Sequence, residues 1–228
     1  MVDHEYGGTG FLAVDWLIDE GYIRDGDCVM NVACGLGGFA SRISRTARIM
    51  VCMDTDPEAL ELTAKACEGG CKVEKYNRDW SEYPPRGGYD ACLVSPSALC
   101  YDVDALMKME QVSRRSCMAA FDTGSDLRAM KREVLARAGV AKEGPVYHDP
   151  APLVDRLSDE GREYREMWFS QFSDPGKDLE AYLFRLCRGH GVPDDVMLDL
   201  VYDYAEERRG HPRDVNYAVH VVAWDKGE

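Results

Sequence analysis

Short, continuous runs of apolar residues alternate along this chain with segments whose apolar residues recur at helical spacing. The runs are typical of strands buried on both faces of a sheet, and the spaced segments are typical of helices that cover it. We predict five such strands, the first beginning at Cys28 and the others at residues 48–54, 72–76, 89–95 and 117–121. Because parallel neighbours need crossover connections, this alternation predicts a doubly wound, mostly parallel α/β sheet.

Helix signals stand before and between these strands. Residues 9–21 predict a helix ahead of the first strand. Asp56 before Pro57 is a typical helix start, and Asp104 and Asp126 are predicted to cap two later helices. The start of the chain therefore predicts a helix and then a regular βαβα order.

The second half of the chain is less regular. Prolines interrupt the pattern, and we interpret residues 140–177 as an insertion within a single domain that spans residues 1–228. After it we predict a helix at 179–187, a strand at 196–204 and a last strand at 216–224.

The segment CVMNVACGLGGFA, which begins at Cys28, runs an apolar strand into a glycine-rich turn and a helix start. Gly35 and Gly37 have no Cβ atom to keep a ligand away from the backbone, and a helix beginning near Gly38 would direct unpaired N–H groups at it. Asp54 follows Gly35 by nineteen positions at the end of the next strand, where its carboxylate could accept bonds from ribose hydroxyls. This pattern predicts a nucleotide site.

The charge of the chain disfavours one class of partner. Its 228 residues include 27 Lys and Arg against 41 Asp and Glu, which gives a net charge of −14. So negative a chain repels phosphate backbones at long range, so we expect no general nucleic-acid binding and favour a small-molecule partner, with a protein less favoured. Oligomeric state is not indicated, although a homo-oligomer is compatible with the sequence.

Neither a membrane segment nor a metal site is expected. The first residues lack the basic and apolar regions of a secretory signal, and no apolar run approaches the roughly 18 residues that span a bilayer. Nine cysteines is an odd number, which fits reduced thiols in a cytoplasmic protein. Cys67 and Cys71 stand close in sequence, but they lack the spacing of zinc ligands, so we predict no metal.

With these elements in order, residues 9–224 resemble the class I S-adenosylmethionine-dependent methyltransferases of Rossmann-like fold. NVACGLG at 31–37 is similar to the family's glycine-rich loop, RDW at 78–80 to the segment after its third strand, and YDACLVSPSAL at 89–99 to its fourth strand and the following turn. The resemblance implies a seven-stranded sheet with an antiparallel final strand, S-adenosyl-L-methionine as cofactor, and methyl transfer as activity.

The resemblance also implies the cofactor-side residues. Asp54 would bind the ribose hydroxyls and Asp79 the adenine amino group, with Trp80 beside it. The full set implied is Asn31, Ala33, Cys34, Gly35, Gly37, Asp54, Thr55, Asp79, Trp80 and Ser95.

Two positions depart from the family's loop. Asn31 stands where the family commonly has an acid, and it can still bond a neighbouring backbone group or the ammonium of the cofactor, but without charge. Ala33 stands at the usual first glycine, and we expect it to demand an ordinary φ and to narrow the space near the methionine part.

The sequence gives weaker signals for residues on the acceptor side than for those on the cofactor side. Candidates are Tyr6, Ser95, Pro96, Tyr101 and His148. His148 is the candidate general base, since histidine titrates near neutral pH. Tyr6, Tyr101 and Trp168 could form an aromatic wall, because ring faces attract a sulfonium cation, and residues 140–177 could form a lid over the acceptor.

Two other classes of function fit the same residues. The glycine loop with Asp54 also satisfies the fingerprint of an NAD(P)-dependent oxidoreductase, although no tyrosine is followed by a lysine four positions later, as the short enzymes of that class require. Asn31 and Ala33 equally allow a catalytically inactive, methyltransferase-like binding domain. Binding of S-adenosylmethionine or of NAD distinguishes the three.

Overall fold

The computed structural model describes residues 7–85, 87–123, 126–140, 148–173, 191–207 and 215–227, together with residues 180, 183, 184, 187 and 188. Its centre is a seven-stranded sheet in the order β3-β2-β1-β4-β5-β7-β6. The strands are β1 Cys28–Val32, β2 Ile49–Asp54, β3 Lys72–Asn77, β4 Tyr89–Val94, β5 Ser113–Asp122, β6 Tyr164–Ser173 and β7 Val215–Asp225.

The pairing of the strands confirms the predicted fold class. β1 is parallel to both β2 and β4, β2 is parallel to β3, and β4 is parallel to β5. β7 is antiparallel to β5, with Phe121 opposite His220. The chain leaves β1 in one direction towards β2 and β3 and returns on its other side at β4, so the strand order reverses between β1 and β4. Open α/β sheets bind ligands at such a switch point, beyond the carboxyl ends of the strands.

The helices lie between the strands largely as predicted. They are α1 Gly7–Asp19, α2 Gly38–Ile43, α3 Pro57–Ala66, α4 Val103–Met107, α5 Met109–Val112, α6 Asp126–Arg137 and α7 Ala151–Asp159, followed by the helix Asp194–Glu207. The cap of α3 is confirmed, since the Asp56 side chain accepts a bond from the Glu58 N–H. The cap predicted at Asp104 is wrong, because Asp102 accepts the Ala105 N–H and begins α4.

The second half contains one wrong prediction and one strand that was not predicted. The strand predicted at 196–204 is wrong, because the segment lies within the helix Asp194–Glu207, whose buried residues Met197, Val201, Tyr204 and Ala205 recur at helical spacing. β6 lies inside the segment interpreted as an insertion. The helix predicted at 179–187 falls mostly outside the described residues, and its described positions 180, 183, 184 and 187 are helical.

The chain divides into two compact units. The first comprises residues 1–123, 148–169 and 219–228, and the second comprises 124–147 and 170–218. In the first unit, apolar residues of alternate sheet positions form two clusters, so that Val29 belongs to one cluster and Met30 to the other. α1, α2 and α3 pack on the first cluster, and α4, α5 and α7 on the second. In the second unit, α6 and the helix Asp194–Glu207 share their own apolar cluster.

The single domain with an insertion at 140–177 stays a prediction. The described helices include none with the length and apolarity needed to cross a membrane.

Candidate functional site

The loop between β1 and α2 has an unusual backbone. Ala33, Gly35 and Gly37 have φ values of 52°, 54° and 84°, all in the left-handed region. The expectation of an ordinary φ at Ala33 is therefore wrong. The Cys34 N–H donates to the Met53 carbonyl of the next strand (3.1 Å), which ties the loop to β2. A left-handed alanine costs about 1–2 kcal/mol, so the loop is strained at Ala33.

The two glycines of the loop have different surroundings. A Cβ atom at Gly37 would lie 2.9 Å from the Thr63 Cα, so glycine is needed there for close packing on α3. A Cβ atom at Gly35 would meet nothing within 4 Å. Gly35 therefore faces open space where a ligand could approach the backbone, whereas Gly37 ends the turn and caps α2 at the predicted place.

Asp54 joins this loop to the next one. It is the last residue of β2, and its Oδ2 accepts the Gly35 N–H (2.9 Å) while its Oδ1 accepts the Asp56 N–H (3.0 Å). Each carboxylate oxygen has capacity for a further donor, so both remain able to bind hydroxyl groups. The structure thus places Asp54 beside Gly35 as predicted, with its side chain already oriented.

Thr63 and Asn77 support the site and were missed from the sequence. The Thr63 hydroxyl on α3 donates to the Gly35 carbonyl (2.7 Å). Asn77 at the end of β3 donates from Nδ2 to the carbonyls of Asp54 (3.1 Å) and Thr55 (2.9 Å). The available signals were a polar residue on the inner face of α3 and a polar residue at a strand end.

Cys34 has its side chain in the core. It is buried, and its thiol contacts Cys52 and the Thr63 hydroxyl, the latter at 3.6 Å. A hydrogen bond with Cys52 lowers the pKa of Cys34, and the same pairing with burial raises the pKa of Cys52. All nine cysteines are thiols. No group of three His, Cys, Asp or Glu side chains within the described ranges could hold a metal ion.

Asn31 and Ser95 meet at the switch point. Ser95 directly follows β4, and its hydroxyl donates to the Asn31 Oδ1 at 2.9 Å. Both side chains are buried, Asn31 completely. The Asn31 Nδ2 atom has no hydrogen-bond partner, which leaves a buried donor unsatisfied at a cost of about 1–3 kcal/mol.

Asp79 and Trp80 lie beyond β3 in different environments. Asp79 is exposed and caps a short 3₁₀ turn, where its Oδ1 accepts bonds from the Ser81 hydroxyl and N–H that lower the pKa of Asp79. Trp80 is buried, donates from Nε1 to the Ala105 carbonyl (2.8 Å) and stacks on Tyr83. The ring of Trp80 is thus a core element, and Asp79 is the accessible member of the pair.

His148 is held tightly at the carboxyl end of β5. It is buried, and its backbone N–H donates to the Asp122 carbonyl (2.9 Å). Its ring Nδ1 accepts the backbone N–H of Asp122 (3.1 Å). Because Nδ1 is an acceptor, the neutral ring carries its proton on Nε2. Tyr101, which is 43% exposed, contacts the ring edge-on at 4.7 Å between centroids. This geometry suits a hydrogen-bond donor better than a general base.

The remaining acceptor-side candidates are separated or not described. Pro96 follows Ser95 and is half-buried. Trp168 on β6 stacks on His220, with 3.8 Å between the ring centroids. The His220 Nε2 atom lies 3.0 Å from a Glu166 carboxylate oxygen. Tyr6 lies outside the described residues, so the predicted wall of Tyr6, Tyr101 and Trp168 stays a prediction.

Comparisons with known proteins find solved structures of the same architecture. No family model and no curated protein matches the chain. The YcgJ protein of Bacillus subtilis is 13% identical with a TM-score of 0.61, over 95% of this chain and 99% of that one. The N-methyltransferase NodS of Bradyrhizobium japonicum, in complex with S-adenosyl-L-homocysteine, is 10% identical with a TM-score of 0.58, over 100% and 90%. The magnesium protoporphyrin IX methyltransferase of Synechocystis, with bound S-adenosyl-L-homocysteine, is 14% identical with a TM-score of 0.56, over 95% and 82%. The chain therefore has the Rossmann-like fold of the class I methyltransferases, as its sequence predicted.

Proposed function

We propose that this chain is an S-adenosyl-L-methionine-dependent methyltransferase that acts on a small-molecule acceptor. The observation that carries the proposal is the pairing of Asp54 with Gly35 at the switch point of this fold. It joins an oriented carboxylate to a backbone position whose Cβ direction is open. A nucleoside cofactor needs this combination of a hydroxyl acceptor and close backbone approach.

The residues present fit the cofactor. Asp54 has lone pairs left for the two ribose hydroxyls, and Asp79 is an exposed, ionised acceptor for an amino group. The Nδ2 atom of Asn31, one residue before the end of β1, is a buried donor without a hydrogen-bond partner. The left-handed φ of Ala33 supports the proposal further, because the loop keeps the turn of a glycine although alanine strains it.

S-adenosyl-L-methionine, when bound, supplies a methyl group activated by a positively charged sulfur. The protein then needs to bind, orient and exclude water, and good alignment of two reactants is worth on the order of 7–11 kcal/mol. Asp54 and Gly35 fix the nucleoside end in this proposal. His148 and Tyr101 line the acceptor side in this proposal.

The acceptor atom decides whether the reaction needs a general base. An amine or hydroxyl acceptor loses a proton on methylation, whereas a thiolate or carbanion does not. A screen of amine, thiol, oxygen and carbon compounds for methyl uptake identifies the class. If His148 is the general base, His148→Gln should lower activity by about a hundredfold or more, whereas activity near that of wild type would remove His148 from this role.

Calorimetric titration tests the cofactor directly. We expect S-adenosyl-L-methionine and S-adenosyl-L-homocysteine to bind and NAD not to bind. Asp54→Asn should lower the affinity for both ligands. Glu61 is an exposed carboxylate on α3, and Glu61→Gln is the matched control, which should bind both ligands as wild type does. Binding of NAD alone would replace the proposal with the oxidoreductase, and binding of none of them would favour the inactive binding domain.

A further inference from the structure

Asn31 is a buried amide in an apolar part of the sheet. In the ladders of β1 its position is opposite Cys52 of β2 and Leu93 of β4, neither of which carries a strong hydrogen-bonding group. The side chain is completely buried. An amide in such surroundings needs partners at both of its ends, and a missing partner points to a group that is supplied from elsewhere.

Ser95 satisfies only the oxygen end of this amide. Its hydroxyl donates to Asn31 Oδ1, and its own N–H donates to the Val32 carbonyl (3.1 Å), which fixes Ser95 against β1. With Oδ1 taken, the amide presents Nδ2 and its two N–H groups, for which there is no partner. The site therefore offers a donor where the resembling family commonly has an acceptor.

The amino-acid end of the proposed cofactor carries one group of each kind. Its carboxylate only accepts hydrogen bonds, and its ammonium only donates them. A fixed N–H donor is complementary to the carboxylate and not to the ammonium. We propose that Asn31 Nδ2 binds the carboxylate of the cofactor, with Ser95 holding the amide in this orientation; this rests on the proposed function. The expectation from the sequence, a bond from Asn31 to the ammonium, requires the opposite end of the amide.

Binding of three ligands to the full chain tests this inference. S-adenosyl-L-homocysteine carries the whole amino-acid end, its decarboxylated analogue lacks only the carboxylate, and 5′-methylthioadenosine lacks the entire end. Because a hydrogen bond to a charged group is worth roughly tenfold or more in affinity, the decarboxylated analogue should bind wild type at least about tenfold more weakly than S-adenosyl-L-homocysteine. This comparison needs no variant and is unaffected by any folding defect.

Two variants then assign the effect to this amide. Asn31→Asp keeps the shape and the bond from Ser95 but replaces the N–H donors with a carboxylate oxygen, which can only accept hydrogen bonds when it is ionised. We expect it to lower the affinity for S-adenosyl-L-homocysteine by about tenfold or more and to leave the affinity for 5′-methylthioadenosine within about twofold of wild type. Ser95→Ala leaves Asn31 unrestrained and should lower the affinity for S-adenosyl-L-homocysteine by about threefold to tenfold. The affinity for 5′-methylthioadenosine should again be unchanged. Thermal unfolding checks that both variants are folded.

The outcomes separate this inference from the proposed function. Equal or tighter binding of S-adenosyl-L-homocysteine by folded Asn31→Asp, or equal binding of the decarboxylated analogue by wild type, would overturn the inference and leave the methyltransferase proposal intact. If wild type binds neither S-adenosyl-L-homocysteine nor 5′-methylthioadenosine, the proposed function itself fails.

Discussion

Substituting Gly35 and Gly37 in turn by alanine should separate stability from binding. At Gly37 the new methyl group would lie 2.9 Å from the Thr63 Cα and 3.1 Å from its hydroxyl, at a φ of 84°. The strain of a left-handed alanine costs about 1–2 kcal/mol, and overpacking costs about 1–3 kcal/mol more. The reduced freedom of the unfolded chain returns about 0.4–1 kcal/mol. We therefore expect Gly37→Ala to lower the free energy of unfolding by about 1–4.6 kcal/mol.

Gly35→Ala should behave differently, because its methyl group meets nothing within 4 Å. Only the left-handed strain applies, so the loss of unfolding free energy should be at most about 1.6 kcal/mol after the same correction. Ala33 at a φ of 52° shows that the loop tolerates an alanine in this conformation. The methyl group would instead occupy the space of the ligand, and affinity for S-adenosyl-L-homocysteine should fall at least about tenfold.

Urea unfolding and calorimetry on both variants measure the two effects, with wild type as reference. The assignment of the two glycines would be refuted if Gly37→Ala were as stable as wild type. It would equally be refuted if Gly35→Ala bound S-adenosyl-L-homocysteine normally.

Three further predictions concern residues around the site. Asp54→Ala should weaken calorimetric binding of S-adenosyl-L-homocysteine by roughly 1.5–3 kcal/mol, the value of charge-assisted bonds, and unchanged affinity in the folded variant would discard the ribose role. Trp80→Phe removes the bond to the Ala105 carbonyl and should lower unfolding free energy by about 1 kcal/mol without changing binding, whereas weaker binding at full stability would make Trp80 a ligand contact. Burial lowers the pKa of His220 despite Glu166, so the unfolded chain takes up this proton first and stability should fall as pH drops below about 6.5. In unfolding experiments across that pH range, the stability of His220→Gln should fall less steeply than that of wild type. An unchanged pH dependence would contradict the prediction.

Local patterns predicted the first half of the fold well. The apolar runs of β1, β2 and β4 and the Asp56–Pro57 start of α3 are signals contained within a few residues. The prediction of a strand at 196–204 was wrong because apolar residues are frequent in this segment. The helical spacing of Met197, Val201 and Tyr204 can be distinguished from the other apolar positions only once their burial is known.

The details of the site depend on contacts that are distant in sequence. The bond between Ser95 and Asn31 spans 64 positions, and the bond between Gly35 and Asp54 spans 19. The left-handed φ of Ala33 occurs in a loop that is tied to β2 by the bond between the Cys34 N–H and the Met53 carbonyl, a contact that the residue type at 33 does not reveal. The sequence could indicate which residues stand at the carboxyl edge, but not which atoms they leave without a partner.

A crystal structure of the chain with S-adenosyl-L-homocysteine tests the central claim most directly. We predict density for the nucleoside beside Gly35, with both ribose hydroxyls within hydrogen-bond distance of the Asp54 carboxylate. Density at another place on the molecule, or a ribose that does not contact Asp54, would contradict the account.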